Sequence, residues 1–91
     1  MSTRSTYLAR TLVARARALR ASLAEDGASS AQVRQRMREL VAKVLVVEEG
    51  ITEDAKVSLV LEAMPSVETG RTASDRDLRE LAECLEARLW R

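Results

Sequence analysis

Residues 74–89 read SDRDLRELAECLEARL, and they show the clearest helical pattern in the chain. Ser74 followed by Asp77 forms a variant of the capping box that commonly begins a helix. Apolar residues then recur every three or four positions, which is the spacing of one helical face. They are Leu78, Leu81, Ala82, Leu85 and Leu89. The stretch therefore predicts an amphipathic helix that buries one stripe against the rest of the protein.

Two further helical stretches occupy the N-terminal half of the chain. The first covers residues 5–26, with Gly27 as a natural C-terminal stop. Its apolar stripe consists of Leu8, Leu12, Ala16, Leu19 and Leu23. The second begins after Ser29 and Ser30, which suit an N-cap, and closes at Gly50. Its apolar face consists of Val33, Met37, Leu40, Val41 and Val44. The short junction between the two stretches predicts an antiparallel helical hairpin.

Residues 51–64 carry the start and stop signals of a third helix. Thr52 suits the N-cap, and the acidic Glu53 and Asp54 suit a first turn because they oppose the helix dipole. Apolar residues follow at helical spacing, and Pro65 ends the run. These residues are Val57, Val60, Leu61 and Met64. The next stretch, residues 65–73, has the sequence PSVETGRTA, which predicts a loop.

The same third stretch also fits a β-strand. Val57, Leu59, Leu61 and Ala63 alternate with other residues, as side chains on one face of a strand would. A hairpin of residues 43–49 and 55–63, joined across Gly50, is the corresponding alternative. The capping residue and the acidic first turn favour the helix.

The composition supports an all-α fold in one domain, residues 1–91. The chain has 14 Ala, 12 Leu and 9 Val, but no Phe, one Tyr and one Trp. Ala and Leu are strong helix formers, and a core with few large side chains requires close helix approach or area from a second chain. We therefore predict a bundle of three or four helices that associates with itself as a homodimer. An α+β fold containing the hairpin is the alternative.

Several kinds of site are excluded or disfavoured by the residues present. The chain has no His and a single Cys, Cys84, so it offers no imidazole base, His-ligated metal site or internal disulfide. No stretch approaches the roughly 20 apolar residues that a membrane span needs. We predict no catalytic residues, no metal and no cofactor, and nothing in the sequence indicates a substrate. A cytoplasmic location is the default expectation for such a chain.

Positive charge is concentrated in the first half of the sequence. Residues 1–47 hold nine Lys and Arg against three acids, and residues 48–91 hold six against eleven. We name Arg10, Arg17, Arg34 and Arg38 as candidate contacts to an anion or a nucleic acid. The first 24 residues lack acids, which is also typical of a mitochondrial transit peptide or an interfacial helix, but their Leu stripe is explained more simply as one face of a helical bundle.

Residues 33–55, VRQRMRELVAKVLVVEEGITEDA, resemble the first helix and following loop of acyl carrier proteins. The matching positions are Met37, Leu40, Val41, Ala42, Leu45, Val47, Ile51, Thr52 and Ala55. In that family a serine that follows Asp, at the start of the second helix, carries the phosphopantetheine arm. Here Ser58 follows Val57 and Ser66 follows Pro65, so we do not predict a modified serine.

Residues 19–44 and 74–89 are similar to the helical docking domains at the C-termini of modular polyketide synthases. Residues 19–44 comprise a helix, the turn AEDGASS and a second helix, and residues 74–89 match the terminal docking helix. Docking helices of that family usually carry an aromatic residue and more acids near their start, where this chain has Leu78 and alternating Arg. The resemblance implies a function in joining proteins.

We therefore predict a small protein–protein interaction module, such as an adaptor, a docking element or a regulator. The apolar third stretch supplies the predicted contact surface for a partner or a second copy, through Val57, Val60, Leu61 and Met64. A helical segment nearly apolar on all sides must be covered by its own chain or by another. The alternative is a basic helical protein that binds nucleic acid through its Arg-rich half.

Overall fold

A computed structural model of the chain describes residues 3–65 and 73–90. Within these ranges the protein contains four α-helices and no β-strand. The helices are α1 (Thr3–Glu25), α2 (Ser30–Glu49), α3 (Asp54–Ala63) and α4 (Asp75–Arg88). The predicted all-α bundle is confirmed. The alternative hairpin is wrong, because residues 43–49 belong to α2 and residues 55–63 belong to α3.

The ends of α2 follow the capping signals in the sequence. The Ser29 hydroxyl accepts a hydrogen bond from the Gln32 amide, and the Gln32 side-chain oxygen accepts one from the Ser29 amide at 2.8 Å. These two bonds satisfy backbone donors that the first helical turn leaves without partners. At the other end, Gly50 has a φ of 70°, a left-handed conformation that glycine adopts without a steric penalty.

The starts of α3 and α4 differ in how well they are capped. Ser74 and Asp77 form the predicted capping box of α4, with reciprocal hydrogen bonds of 3.2 and 3.1 Å. The predicted cap of α3 at Thr52 is wrong. Glu53 is the N-cap residue and makes no side-chain capping bond, so the acidic Asp54 in the first turn is the remaining local signal. Most of the predicted loop 65–73 lies outside the described residues.

The helices form a ring in which each helix packs against two others. Helix α1 contacts α2 and α4, and α3 contacts the same two helices from the other side. In the described part of the chain, α1 does not contact α3 and α2 does not contact α4. The largest fully buried side chains at the centre are Leu8, Leu12, Leu45, Leu81, Leu85, Val41, Val44 and Val60.

Burial decreases along the α1–α2 hairpin toward its connection. In the predicted stripe of α1, Leu8 and Leu12 are fully buried, whereas Leu19 and Leu23 are only partly buried. Val33 of α2 is also only partly buried. The helix lengths explain this trend, because α1 and α2 have 23 and 20 residues but α3 and α4 have 10 and 14. At a rise of about 1.5 Å per residue, α3 is only about half as long as α2. We call residues 16–38 the hairpin end.

Two valines of α2 provide a matched test of this core. Val44 is fully buried and Val47 is 68% exposed. Replacing Val44 by Ala removes buried methyl groups and leaves a cavity, so Val44→Ala should lower the free energy of unfolding by about 2 kcal/mol. Val47→Ala should change it by less than about 0.5 kcal/mol. Urea denaturation followed by circular dichroism measures both values, and equal losses would contradict the placement of α2.

Candidate functional site

The predicted apolar contact residues are divided between the core and the surface. Val57 and Val60 are 2% and 1% exposed, and they pack in the main core against the protein's own helices. A partner cannot contact these two side chains in this arrangement. Leu61 and Met64 lie near the end of α3 and are partly buried. The accessible part of the predicted surface is therefore the C-terminal end of α3.

A groove lies between the first half of α2 and the end of α3. Its volume is about 830 Å³. Met37 and Leu61 supply apolar lining, and Arg34, Arg38 and Glu62 are the charged residues along it. Met37 itself is only 4% exposed, so the groove descends to the edge of the core. The groove thus combines an apolar floor with charged walls.

Arg38 is held in place at the junction of α2 and α3. Its guanidinium donates a hydrogen bond to the Ser58 hydroxyl at 3.2 Å and lies 3.8 Å from a carboxylate oxygen of Asp54. The Asp54 side chain is 93% exposed, so water screens this ion pair and it neutralises Arg38 only weakly. Ser58, one of the two serines considered for modification, therefore lies in the α2–α3 contact, and Ser66 lies outside the described residues.

The four candidate arginines do not form one surface. Arg17 donates a hydrogen bond of 2.9 Å to the carbonyl oxygen of Ala73, just before α4. Arg38 instead contacts α3, on the other side of the ring of helices. Arg10 is exposed on α1, and Arg34 lines the groove beside Arg38. The structure thus brings Arg34 and Arg38 together and places Arg10 and Arg17 elsewhere.

A second hollow lies beside the groove at the hairpin end. Its volume is about 220 Å³, and its lining includes Arg20, Ala24 and Val33. Ser30 lines both hollows, which makes them neighbours. Across the hairpin end, residues 16–38 hold five arginines and two acids. Glu39 and Asp54 pair with Arg36 and Arg38, and Glu62 lines the groove, so acids of neighbouring segments balance these arginines.

The opposite end of the bundle is closed by a polar cluster that the sequence did not reveal. Ser5 is fully buried, donates a hydrogen bond to the Glu86 carboxylate at 2.5 Å and accepts one from the Trp90 indole at 2.6 Å. The Arg4 guanidinium stacks 3.7 Å from the centroid of the Trp90 ring and donates to the Glu49 carboxylate. This cluster joins the start of α1 to the ends of α2 and α4. We call it the Trp90 clasp.

The clasp also affects the titration of Arg4. The hydrogen bond to Glu49 is the largest influence, and it raises the pKa of the Arg4 guanidinium above its usual value. The negative charges of Glu49 and Glu86 act in the same direction, and partial desolvation opposes them. The raised pKa favours the charged form of Arg4, which arginine also adopts in proteins generally.

Ser5 and Ser22 allow a matched test of the clasp, because both lie on α1 but Ser22 is exposed. Ser5→Ala removes the acceptor of the Trp90 indole and the donor to Glu86, so it should lower the free energy of unfolding by about 1 kcal/mol. Ser22→Ala should leave that value within about 0.5 kcal/mol. Trp90 is the sole tryptophan, so its emission during urea denaturation reports the loss. An unchanged urea midpoint for Ser5→Ala would show that the Ser5 hydrogen bonds of the clasp do not contribute to the free energy of unfolding.

Other kinds of site are not seen in the described ranges. Residues 3–65 and 73–90 contain no group of His, Cys, Asp and Glu side chains that could hold a metal ion. None of the helices described is long and apolar enough to cross a membrane. Cys84 is partly buried and lines a small hollow between α3 and α4 with Leu59 and Ala63.

Comparisons with protein-family models, with curated proteins and with solved structures find no match to this chain. The assignment of a function therefore depends on the groove and the charges around it.

Proposed function

We propose that the protein is a small protein–protein interaction module that binds a helix of another protein in the α2–α3 groove. The observation that carries this proposal is the groove itself, in which Ala31 and Leu61 are accessible apolar residues between charged walls and Met37 lies beneath them. Amphipathic helices bind such grooves by placing side chains from successive turns onto the apolar floor. We propose the cytoplasm as the place of this interaction.

The hydrophobic packing at the hairpin end supports the proposal. A second, smaller apolar cluster lies there, and its buried members are Ala16 and Met37. Leu61 and Met64 connect it to the main core, because they pack against both. The partly buried members are Leu19, Val33, Leu40, Leu61 and Met64. Leu61 is the one of these that lines the groove, and a partner helix that covered it would remove apolar surface from water, which is the main favourable term in most protein associations.

A homodimer is a second candidate, favoured by a different surface. Tyr7, Val46 and Val47 are large apolar residues that are 59%, 47% and 68% exposed. Arg4 of α1 pairs with Glu49 of α2, and the two helices are antiparallel. Tyr7 lies about one turn after Arg4 and Val46 about one turn before Glu49, so the two residues lie at the same height along the helix pair. A second copy could cover these residues without occupying the groove.

Nucleic-acid binding has less support from the geometry. Arg17 and Arg38 lie on different sides of the bundle, so a single duplex would not contact all four candidate arginines at once. The groove also contains the carboxylate of Glu62, which would repel a phosphate. The interaction with a protein is therefore the function that we propose first.

Site-specific photo-crosslinking tests this proposal. Ala31 is exposed and lines the groove, whereas Ala87 is exposed on α4 outside it. A photoreactive benzoylphenylalanine placed at Ala31 in the native host should give a crosslinked product with another polypeptide, and the same residue placed at Ala87 should not. Gel mobility and mass spectrometry identify the product.

Two results of that experiment would contradict the proposal. One is the absence of any polypeptide product from position 31 in cells that produce the protein at its native level. The other is the same product at equal yield from positions 31 and 87, which indicates contact without a preferred surface.

A further inference from the structure

We infer that the helix bound in the groove is acidic along the edge that faces α2. This inference rests on the proposed function and specifies the chemistry of the partner. It depends on the distribution of charge around the groove, on the fixed position of Arg38 and on the apolar floor between the charged walls.

The charges on the two walls of the groove have opposite sign. Arg34 and Arg38 lie on the α2 wall, and Glu62 lies on the α3 wall. Residues four positions apart on a helix are neighbours on its surface, so Arg34 and Arg38 form a pair of positive charges one turn apart. A partner helix with carboxylates one turn apart matches this pair, and a basic side chain on its opposite edge matches Glu62.

The arginines are suited to bind carboxylates. A guanidinium is planar and can donate two parallel hydrogen bonds to one carboxylate, which makes such pairs strong and directional. The hydrogen bond from Arg38 to Ser58 fixes the side chain before a partner arrives. A side chain that is already ordered loses less conformational entropy on binding. Arg38 is therefore a prepared contact for an acidic residue.

The lining of the groove adds an apolar contact to this charge pattern. The positive charge is confined to the α2 wall, because Arg36 pairs with Glu39 and Glu62 lies across the groove, so the charges orient an acidic edge toward α2. Ala31 and Leu61 are the accessible apolar residues of the lining, and Met37 lies at the edge of the core beneath them. The floor thus supplies affinity for a range of apolar residues, and the charges select among the helices that carry them.

A protein helix fits these features better than a nucleic acid. The described lining of the groove contains no aromatic side chain on which a base could stack. Its apolar floor offers nothing to a phosphate, and Glu62 repels one. An acidic amphipathic helix satisfies the floor and the α2 wall together.

Three labelled peptides test the inference with the full-length chain. Each is a helical peptide of about 16 residues with Leu at positions i, i+3, i+4 and i+7. The positions along one edge of the Leu stripe carry Glu, Gln or Lys, and those along the other edge carry Lys in all three peptides, to match Glu62. Fluorescence anisotropy at low salt should show that the Glu peptide binds at least about tenfold more tightly than the Gln peptide, and the Lys peptide most weakly. The difference should shrink at high salt. Amide chemical-shift changes should map to α2 near Arg34 and to Glu62.

A charge-reversal variant with a matched control identifies the residues responsible. Arg34→Glu should weaken binding of the Glu peptide by about tenfold and strengthen binding of the Lys peptide. Arg10 is an exposed arginine on α1 outside the groove, so Arg10→Glu should leave both affinities unchanged. Circular dichroism verifies that each variant is folded, and Arg34→Gln replaces Arg34→Glu if the latter unfolds.

The outcomes separate this inference from the proposed function. If all three peptides bind in the groove with equal affinity, the inferred preference for an acidic edge is wrong, but the proposal that the groove binds a helix still holds. If none of the peptides binds while Ala31 still crosslinks to a partner, the acidic helix is the wrong occupant. Tighter binding of a DNA duplex, with shift changes at the same residues, overturns the inference in favour of nucleic acid. If position 31 also yields no crosslink, the proposed function itself is contradicted.

Discussion

The short length of α3 determines what the rest of the bundle can cover. Its 10 residues span about half the length of the 20-residue α2, which it packs against. Helix α3 begins at Asp54, shortly after the end of α2, and its last turn lies at the groove with Met37. It therefore ends before it can cover most of the hairpin end. The main core is therefore complete around Val41 and Val44, whereas the apolar surface at the hairpin end remains partly exposed.

The two ends of the bundle consequently have different properties. The Trp90 clasp closes one end with a buried hydroxyl, an indole and two carboxylates, and it joins three of the helices. The other end combines partly buried apolar side chains with a groove whose α2 wall carries Arg34 and Arg38. The clasp joins α1 to α2 and α4 at the first end, and it can hold these helices in register during the partner binding that we propose for the second end.

Local sequence signals predicted the helices well and the groove poorly. The Ser29 and Ser74 caps and the Gly50 stop act within a few residues, so the sequence alone located the helix boundaries that they set. The sequence predicted Val57 and Val60 as contacts for a partner, but their own chain buries both. An apolar pattern does not show whether the chain itself or a partner covers a residue, because that depends on which helices pack together. The Trp90 clasp joins residues 85 positions apart, and no local pattern indicates such a contact. The sequence predicted Arg34 and Arg38 as anion contacts. It did not predict that they line one wall of a groove, because the groove depends on where α3 packs against α2.

Solvent accessibility of individual methyl groups tests most directly whether the hairpin end is open. A soluble paramagnetic gadolinium chelate speeds the nuclear relaxation of methyl groups that it can approach, and the effect can be measured at a concentration low enough for the chain to be monomeric. Val33 and Val44 lie on the same helix, the first partly exposed and the second fully buried. We expect strong relaxation enhancement at Val33, Leu61 and Met64 and weak enhancement at Val44. Equally weak enhancement at all four residues would show that the hairpin end is covered, and the groove would then not be open to a partner.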